Sequence, residues 1–351
     1  MQKLFENWRR FLITEGGNVF QDQSVGPIPL GYIQPTLEKY YEELSRLFPQ
    51  HSSLFQTFEP LGSVGKKAKS GDIDLAVDVS DLFPDKKVTD EALQSWNLNP
   101  DDWKATYERF VKRARTATPE QVELRAFLYE LAKYIGENST LIISDLKKVR
   151  PGNMFTLFPQ HNEAGEQQDI GVQMDWMLGN KNWLTFSYFS DFPSETQPML
   201  KGLHRTQLVL SMFGAKNYSF NHVEGVFDKS TGQKVAHSPS EALQLLQKIY
   251  GAPISREDLL NFNSLYNWIE ANTSEQEKAN IYDMYLRILD STNGNKEINP
   301  TTGVSERCGY IPQELESYWL QNWQRLGLKG RYMCKTINND LRNAIMQGNQ
   351  P

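Results

Sequence analysis

Leu61-Gly62-Ser63-Val64-Gly65-Lys66-Lys67-Ala68-Lys69-Ser70-Gly71-Asp72-Ile73-Asp74-Leu75 is the stretch on which the reading of this 351-residue chain turns. It runs on as an alternating strand, DIDLAVDV, over Asp72–Val79. Successive strand residues face opposite sides, so Asp72 and Asp74 leave one face roughly 6–7 Å apart, while Ile73, Leu75 and Val77 turn into a core. Two neighbouring carboxylates repel unless something positive lies between them. Magnesium, a hard oxygen-seeking ion often shared with substrate phosphates, suits the pair. Two such ions about 3.5–4 Å apart can activate an attacking hydroxyl and hold a leaving phosphate. Just upstream, Gly62 and Ser63 offer a tight turn and a hydroxyl, with Lys66, Lys67 and Lys69 close behind. Small residues followed by cations are what a triphosphate needs. No P-loop pattern can be read there. An Asp-x-Asp alone is more often a strand edge with solvated acids. The turn, the spaced lysines and the Ser-Gly-Asp-x-Asp together favour a site.

A third carboxylate on a neighbouring strand would complete it. The segment GVQMDWML supplies Asp175, with Gln173 on its face and Val172, Met174 and Trp176 on the buried one. Asp169 lies at that strand's mouth, and Asp78 shares parity with Asp72 and Asp74 but reads as a strand-end residue.

Around this centre the punctuation is legible. Asn99-Pro100, Thr118-Pro119-Glu120-Gln121 and Ser238-Pro239-Ser240-Glu241 each place a cap before a proline at the first helical position. Further strands are expected over Phe55–Leu61, Leu141–Val149, Met154–Phe158, Ile170–Leu178 and Trp183–Phe189. A hairpin is expected from Val223–Phe227 to Lys234–Ala236, and from Ser255 onward the chain reads as almost wholly helical, with a Gly/Asn/Pro/Thr-rich break at Ser291–Gly303. A mixed sheet with helices on one side, followed by helices, is α+β.

Composition narrows the classes. Eight Trp, 15 Tyr and 18 Phe supply ample core, which excludes wholesale disorder. No apolar run approaches the roughly 20 residues of a membrane span, and the first residues lack a signal peptide's pattern. Cys308 and Cys334 cannot make a disulfide framework, so a reducing, cytoplasmic setting is expected. A net charge of −6 argues against coating nucleic acid by bulk charge. Two local windows remain basic: 104–115, with Lys104, Arg109, Lys112, Arg113 and Arg115, and 321–351, with Arg325, Lys329, Arg331, Lys335 and Arg342 among aromatics. Such windows can hold a single strand by phosphate contact and stacking, although a solvated helix face is their commoner meaning.

These blocks resemble the nucleotidyltransferase superfamily, and within it the family X DNA polymerases of the polymerase beta type. LGSVGKKAKSGDIDLAV is similar to the family's Gly-Ser, basic, Ser-Gly-Asp-x-Asp block. VQMDWMLGNKNWLTFSYFSDFP is similar to its third-aspartate strand and the aromatic segment after it. YSFNHVEGVFDKSTGQKVAHSPSEALQLLQKIYGAP is similar to its C-terminal subdomain, and together the likeness covers roughly 50–80 and 125–258. In general look the chain also resembles nucleotidyltransferases of large tailed bacteriophages, which would place it in a host cytoplasm.

The resemblance implies a palm-like catalytic domain over 51–195 and a polymerase X-like subdomain over 196–258. Outside the likeness, an N-terminal helical segment is expected over 1–50, a helical insertion at about 82–118 and a helical extension over 259–351. Asp72, Asp74 and Asp175 would ligate two magnesium ions, with manganese as a substitute. Ser63 would bind a triphosphate oxygen after Gly62, and Lys66 stands where the family has a phosphate-contacting Arg. Gly71 would allow close backbone approach. Tyr188 and Phe189 would lie against sugar and base, and Asn221 near primer and template.

The implied activity is transfer of a nucleoside monophosphate from an NTP or dNTP to a nucleic-acid 3′-hydroxyl, releasing pyrophosphate. Template-directed repair synthesis, and nucleotidylation of a protein or small molecule, are the alternatives. Two departures weaken templating. No helix-hairpin-helix module is legible in 1–50, and the family's Asn, Lys and Arg facing the nascent base pair are replaced by Thr206, Gln207 and Leu210.

Overall fold

A computed structural model describes residues 20, 23–62, 64–66, 68–83, 87–114, 117–189, 202–291, 296–298, 305–307 and 311–328. Ser63, both cysteines, Arg115 and the basic residues after Arg325 lie outside them. The chain divides into two compact units. One takes in the described residues of 18–189 with His222–Glu224, the other those of 190–221 and 225–351. Among the described residues no helix is long and apolar enough to cross a membrane.

In the first unit, β1 (Ile28–Pro29) leads into α1 (Leu30–Leu47) and α2 (Ser52–Phe55). Then come β2 (Glu59–Pro60), β3 (Lys69–Ser70), β4 (Ile73–Asp78), α3 (Val79–Leu82), α4 (Asp90–Ser95), α5 (Pro100–Val111) and α6 (Pro119–Asn138). Last are β5 (Ile143–Ser144), β6 (Asn153–His161), β7 (Gln167–Gly179) and α7 (Lys181–Ser187). Five strands form one sheet in the order β2-β4-β7-β6-β5. Only β4 and β7 run parallel; the other pairings are antiparallel. The fold class is α+β, and α4 and α5 lie between residues 82 and 118.

Alternation decides which face is buried. Ile73, Leu75 and Val77 of β4 and Val172, Met174, Trp176 and Leu178 of β7 join Tyr40 and Leu44 of α1 and Phe127 and Leu131 of α6 in one apolar cluster. On the other face the short α7 seats Leu184 against Leu61, Ala76 and Met177. One polar relay crosses the large core. The Trp176 Nε1–H donates to the Tyr40 hydroxyl at 2.8 Å, and that hydroxyl shares a 2.8 Å hydrogen bond with Thr156 Oγ1. Burial pushes the Tyr40 phenol pKa well above its ordinary value, so it stays a neutral link between α1, β6 and β7.

Several caps form as the sequence dictates. Asn99, Thr118 and Ser238 accept from the first turns of α5, α6 and the helix Pro239–Tyr250, and Thr118 and Gln121 make a reciprocal box. Three expected strands are corrected. Phe55 ends α2, which leaves only Glu59–Pro60 extended. Leu141–Val149 is strand only at Ile143–Ser144, because Asp145 Oδ1 accepts from Lys147 and Lys148 N–H at 2.7 and 2.9 Å and curls the chain. Trp183–Phe189 is helix α7: Asn180 caps it at Trp183 N–H, 3.0 Å, overriding the strand preference of its aromatics.

The second unit holds α8 (Gly202–Ala215), the antiparallel strands β8 (Tyr218–Asn221), β9 (Gly225–Asp228) and β10 (Lys234–Ala236), and α9 (Pro239–Tyr250). α10 (Phe262–Asn272), α11 (Glu275–Ser291), β11 (Lys296–Ile298), β12 (Ser305–Arg307) and α12 (Gln313–Asn322) complete it. The β11–β12 ribbon begins within the break expected at Ser291–Gly303, so the region is not all helical. The Tyr250 hydroxyl donates to Met212 O at 2.7 Å, and Lys216 pairs with Glu277 at 2.6 Å, so α8 is tied to α9 and α11.

The relay yields a stability prediction. Tyr40→Phe leaves the buried Trp176 N–H and Thr156 hydroxyl without their shared partner, which costs about 1–3 kcal/mol. Urea denaturation should show a lowered midpoint with an unchanged slope.

Candidate active site

The site is built on the parallel pair. Asp74 is the register partner of Asp175, between the pairs Ile73–Met174 and Leu75–Trp176. Register partners of adjacent strands leave the same face, with backbones about 4.8 Å apart. The two carboxylates therefore project side by side. Asp72 precedes β4 by one residue, and it and Asp74 are half-buried. Asp175 is 4% exposed. Gln173 Nε2 donates to Asp175 Oδ2 at 3.0 Å, while Oδ1 is buried with no hydrogen-bond partner. Burial, then the charges of Asp74 and Asp72, raise the Asp175 carboxyl pKa well above the usual carboxylate range, against the lowering effect of Gln173.

The other two candidate acids separate from these. Asp78 is structural. Its Oδ1 accepts from Ser80 N and Oγ at 3.0 and 2.6 Å, and its Oδ2 accepts from Lys181 N at 3.1 Å, so one side chain caps both α3 and α7. Asp169 is exposed at the start of β7.

The turn after β2 brings the remaining candidates in. Leu61 N–H donates to Asp74 O at 2.8 Å, and Val64 N–H closes on Leu61 O at 3.3 Å. Between them Gly62 has φ +62°, which favours glycine. A Cβ on Gly62 would stand 3.7 Å from Asp74 Oδ2 and 3.9 Å from Tyr188 O. Beyond the turn, Lys66 is exposed and its Nζ lies 4.4 Å from the Phe189 ring centroid. Tyr188 ends α7, packs with Leu61 and Met177, and tilts against the His222 ring at 5.3 Å. His222 is 3% exposed, and its carbonyl accepts from Ser187 Oγ at 2.8 Å. Space beside Gly71 is open.

Gly62, Lys66, Asp72, Asp74, Asp175, Tyr188 and Phe189 thus share the first unit, and contacts link Gly62 to Asp74 and Tyr188, and Lys66 to Phe189. Asn221 belongs to the second unit, where it ends β8 opposite Gly225. Thr206, Gln207 and Leu210 are buried in α8 of that unit. The Tyr188 carbonyl beside Gly62 is absent from the sequence reading, because only the conversion of Trp183–Phe189 from strand to helix brings it there.

The donors match a hard divalent cation in kind: all are carboxylate oxygens, and one buried oxygen is unsatisfied. Among the described residues no three acidic, His or Cys side chains are gathered closely enough to hold a metal ion as they stand.

No family model and no curated protein matches the chain. Solved structures of Leishmania infantum polymerase beta are similar to it. One, a ternary P/T complex, shares 12% identity at a TM-score of 0.32, covering 70% of this chain and 77% of that one. Another, a ternary gap complex, shares 12% identity at a TM-score of 0.33 and covers 72% of each. The likeness is distant and says nothing of a bacteriophage origin; the carboxylate geometry carries the functional reading.

A pH prediction follows from Asp175. A folded-state pKa above the unfolded value means that the stability present below about pH 4, the unfolded carboxyl pKa, is lost as pH rises through the folded one. With chelator present, Asp175→Asn should therefore melt higher than the parent at pH 8. The gap should close as pH falls towards 4. A thermal-melt series across that range checks it.

Proposed function

We propose that this chain is a metal-dependent nucleotidyltransferase that moves a nucleoside monophosphate from an NTP or dNTP to a nucleic-acid 3′-hydroxyl and releases pyrophosphate. The observation that carries the proposal is the side-by-side register of Asp74 and Asp175, with Asp72 close enough to add to the Asp175 pKa rise. Carboxylates forced together on the face opposite the core have little structural purpose. Each repels the others, and burial penalises the charged form of Asp175.

Asp72, Asp74 and Asp175 are the residues that would hold divalent magnesium. The bound metal would supply Lewis acidity to the acceptor hydroxyl and to the phosphate oxygens. The chain's own residues have the remaining work. The Gly62 turn leaves the approach to Asp74 clear of any side chain at that position. Lys66 offers an exposed cation for the charge of a triphosphate, with its Nζ over the Phe189 ring. Tyr188 and Phe189, fixed by the end of α7, provide rings and a carbonyl for the sugar side of a nucleotide. Asp78 holds α7 to the end of β4 and so positions that pair without touching substrate. Phosphoryl transfer of this kind needs positioning and electrostatics more than covalent chemistry.

Two outcomes test the reading, with labelled nucleoside triphosphates, magnesium and separate pools of tRNA, single-stranded DNA and gapped duplex. Asp74→Asn should lower transfer by at least about 100-fold while leaving the melting temperature unchanged or raised, since it relieves like-charge repulsion. Retained transfer in this folded variant sinks the assignment. Lys66→Ala should raise the nucleotide KM about tenfold with folding intact, the loss of one charge-assisted contact of roughly 1.5 kcal/mol. An unchanged KM would remove Lys66 from the triphosphate site.

A further inference from the structure

Four arginines of the first unit meet away from any carboxylate partner. Arg109 lies near the end of α5 and Arg113 just beyond it, Arg125 is on α6, and Arg150 precedes β6. The Arg109 Cζ stands 5.0 Å from the Phe110 ring centroid and 4.7 Å from that of Tyr129. The Arg125 Cζ stands 4.3 Å from the same Phe110 centroid. One buried ring therefore seats two guanidinium groups. Arg125 Nε donates to Val149 O at 3.2 Å, which sets it beside Arg150. Burial and then the charges of Arg150, Arg109 and Arg113 pull the Arg125 pKa below its ordinary value, with no carboxylate acting against them.

Two arginines elsewhere are compensated: Arg46 pairs with Glu43 at 2.8 Å and Arg325 with Asp283 at 2.8 Å. None of the four makes an ion pair among the described residues. Arg109 reaches only Thr106 Oγ1, at 3.4 Å, and that hydroxyl donates to Glu130, which takes Lys133 at 3.8 Å. The Arg109 Nε is buried and without a partner. Guanidinium groups do not relieve crowding by losing protons at ordinary pH. In a chain of net charge −6, such a group is not the by-product of a generally basic surface.

We propose that Arg109, Arg113, Arg125 and Arg150 form a binding site for the phosphates of a nucleic-acid strand, separate from the acidic centre. The planar N–H fork of arginine suits phosphate oxygens. The cluster spans two helices and a loop, which fits a run of phosphates better than one. Beside Arg113, Val111 is 45% exposed, an apolar surface of the kind a base covers. The loop after Arg150 is also tied to the acidic strand: Gly152 O accepts from Leu178 N at 2.7 Å. Leu178 is three residues past Asp175, roughly 10 Å along β7. This inference extends the nucleic-acid acceptor reading, and its test is made independent of catalysis.

The test measures binding of a labelled single-stranded 20-mer by fluorescence anisotropy, with chelator, in the Asp74→Asn protein, where transfer cannot contribute. Arg113→Gln with Arg150→Gln should weaken binding about 25-fold at 0.1 M salt, or about fivefold per lost contact, equally for every sequence. The slope of log affinity against log salt should fall by about 1.4. Arg125→Gln is the second variant and Arg125→Lys its conservative partner, both checked for folding by melting. Lys234→Gln with Lys248→Gln, exposed lysines of the other unit, removes the same charge and should change affinity less than twofold. Unchanged affinity and slope in the folded arginine variants overturns the proposal. So does an equal loss in the lysine control, or binding of inorganic tripolyphosphate without binding of the strand.

Discussion

Everything at the acidic face depends on one backbone constraint, the parallel pairing that seats Asp74 beside Asp175. Side chains in register on adjacent strands cannot move apart without breaking the ladder. The ladder in turn is held by the apolar residues that alternate with the acids. Ile73, Leu75 and Val77 on one strand and Met174 and Trp176 on the other are fully buried against α1 and α6. Hydrophobic burial of these five side chains, on the order of 1.5–3 kcal/mol each, outweighs the repulsion on the opposite face. The same residues that make a stable sheet thus force an unfavourable electrostatic arrangement, which a cation can relieve.

Two places in the first unit each gather charge of one sign. Acids gather where β4 and β7 face away from α1 and α6, and arginines without an ion pair among the described residues gather where α5, α6 and the loop before β6 converge. Both depend on aromatic scaffolding. Lys66 rests over Phe189, and Arg109 and Arg125 share Phe110. Rings fix cations in place without neutralising them, which a carboxylate cannot do. Arg325 of the second unit is held differently, by Asp283 at 2.8 Å.

The sheet and its acids were legible because period-two alternation is a long, unambiguous signal in DIDLAVD and VQMDWML. Helix starts were legible because a cap and a proline mark them locally. What escaped was decided by single hydrogen bonds. Asn180 turns an aromatic run into α7, and Asp145 curls a β-rich stretch into turns. The arginine cluster was half visible. Arg109 and Arg113 stand in a basic window, but Arg125 and Arg150 have no local signature and join them only through tertiary packing. Of the basic stretch at 321–351 only 321–328 are among the described residues, and there Arg325 pairs with Asp283.

The sole parallel pairing of the main sheet also bears on how the protein acquires its shape. Its acids come from positions about a hundred residues apart, with four helices threaded between, and closing so long a loop delays a contact relative to local hairpins and helices. A nascent chain emerging N-terminal end first carries Asp72 and Asp74 for the time it takes to make α4, α5, α6, β5 and β6 before β7 arrives. Through that interval β4 is an apolar strand open along one edge, the kind of surface that invites mispairing. The short β2, held to Ala76 and Leu75 on the other side, protects only one edge. Assembly of the acidic centre and closure of the hydrophobic core are therefore the same late event, and a chain that has not finished folding has no site to misuse.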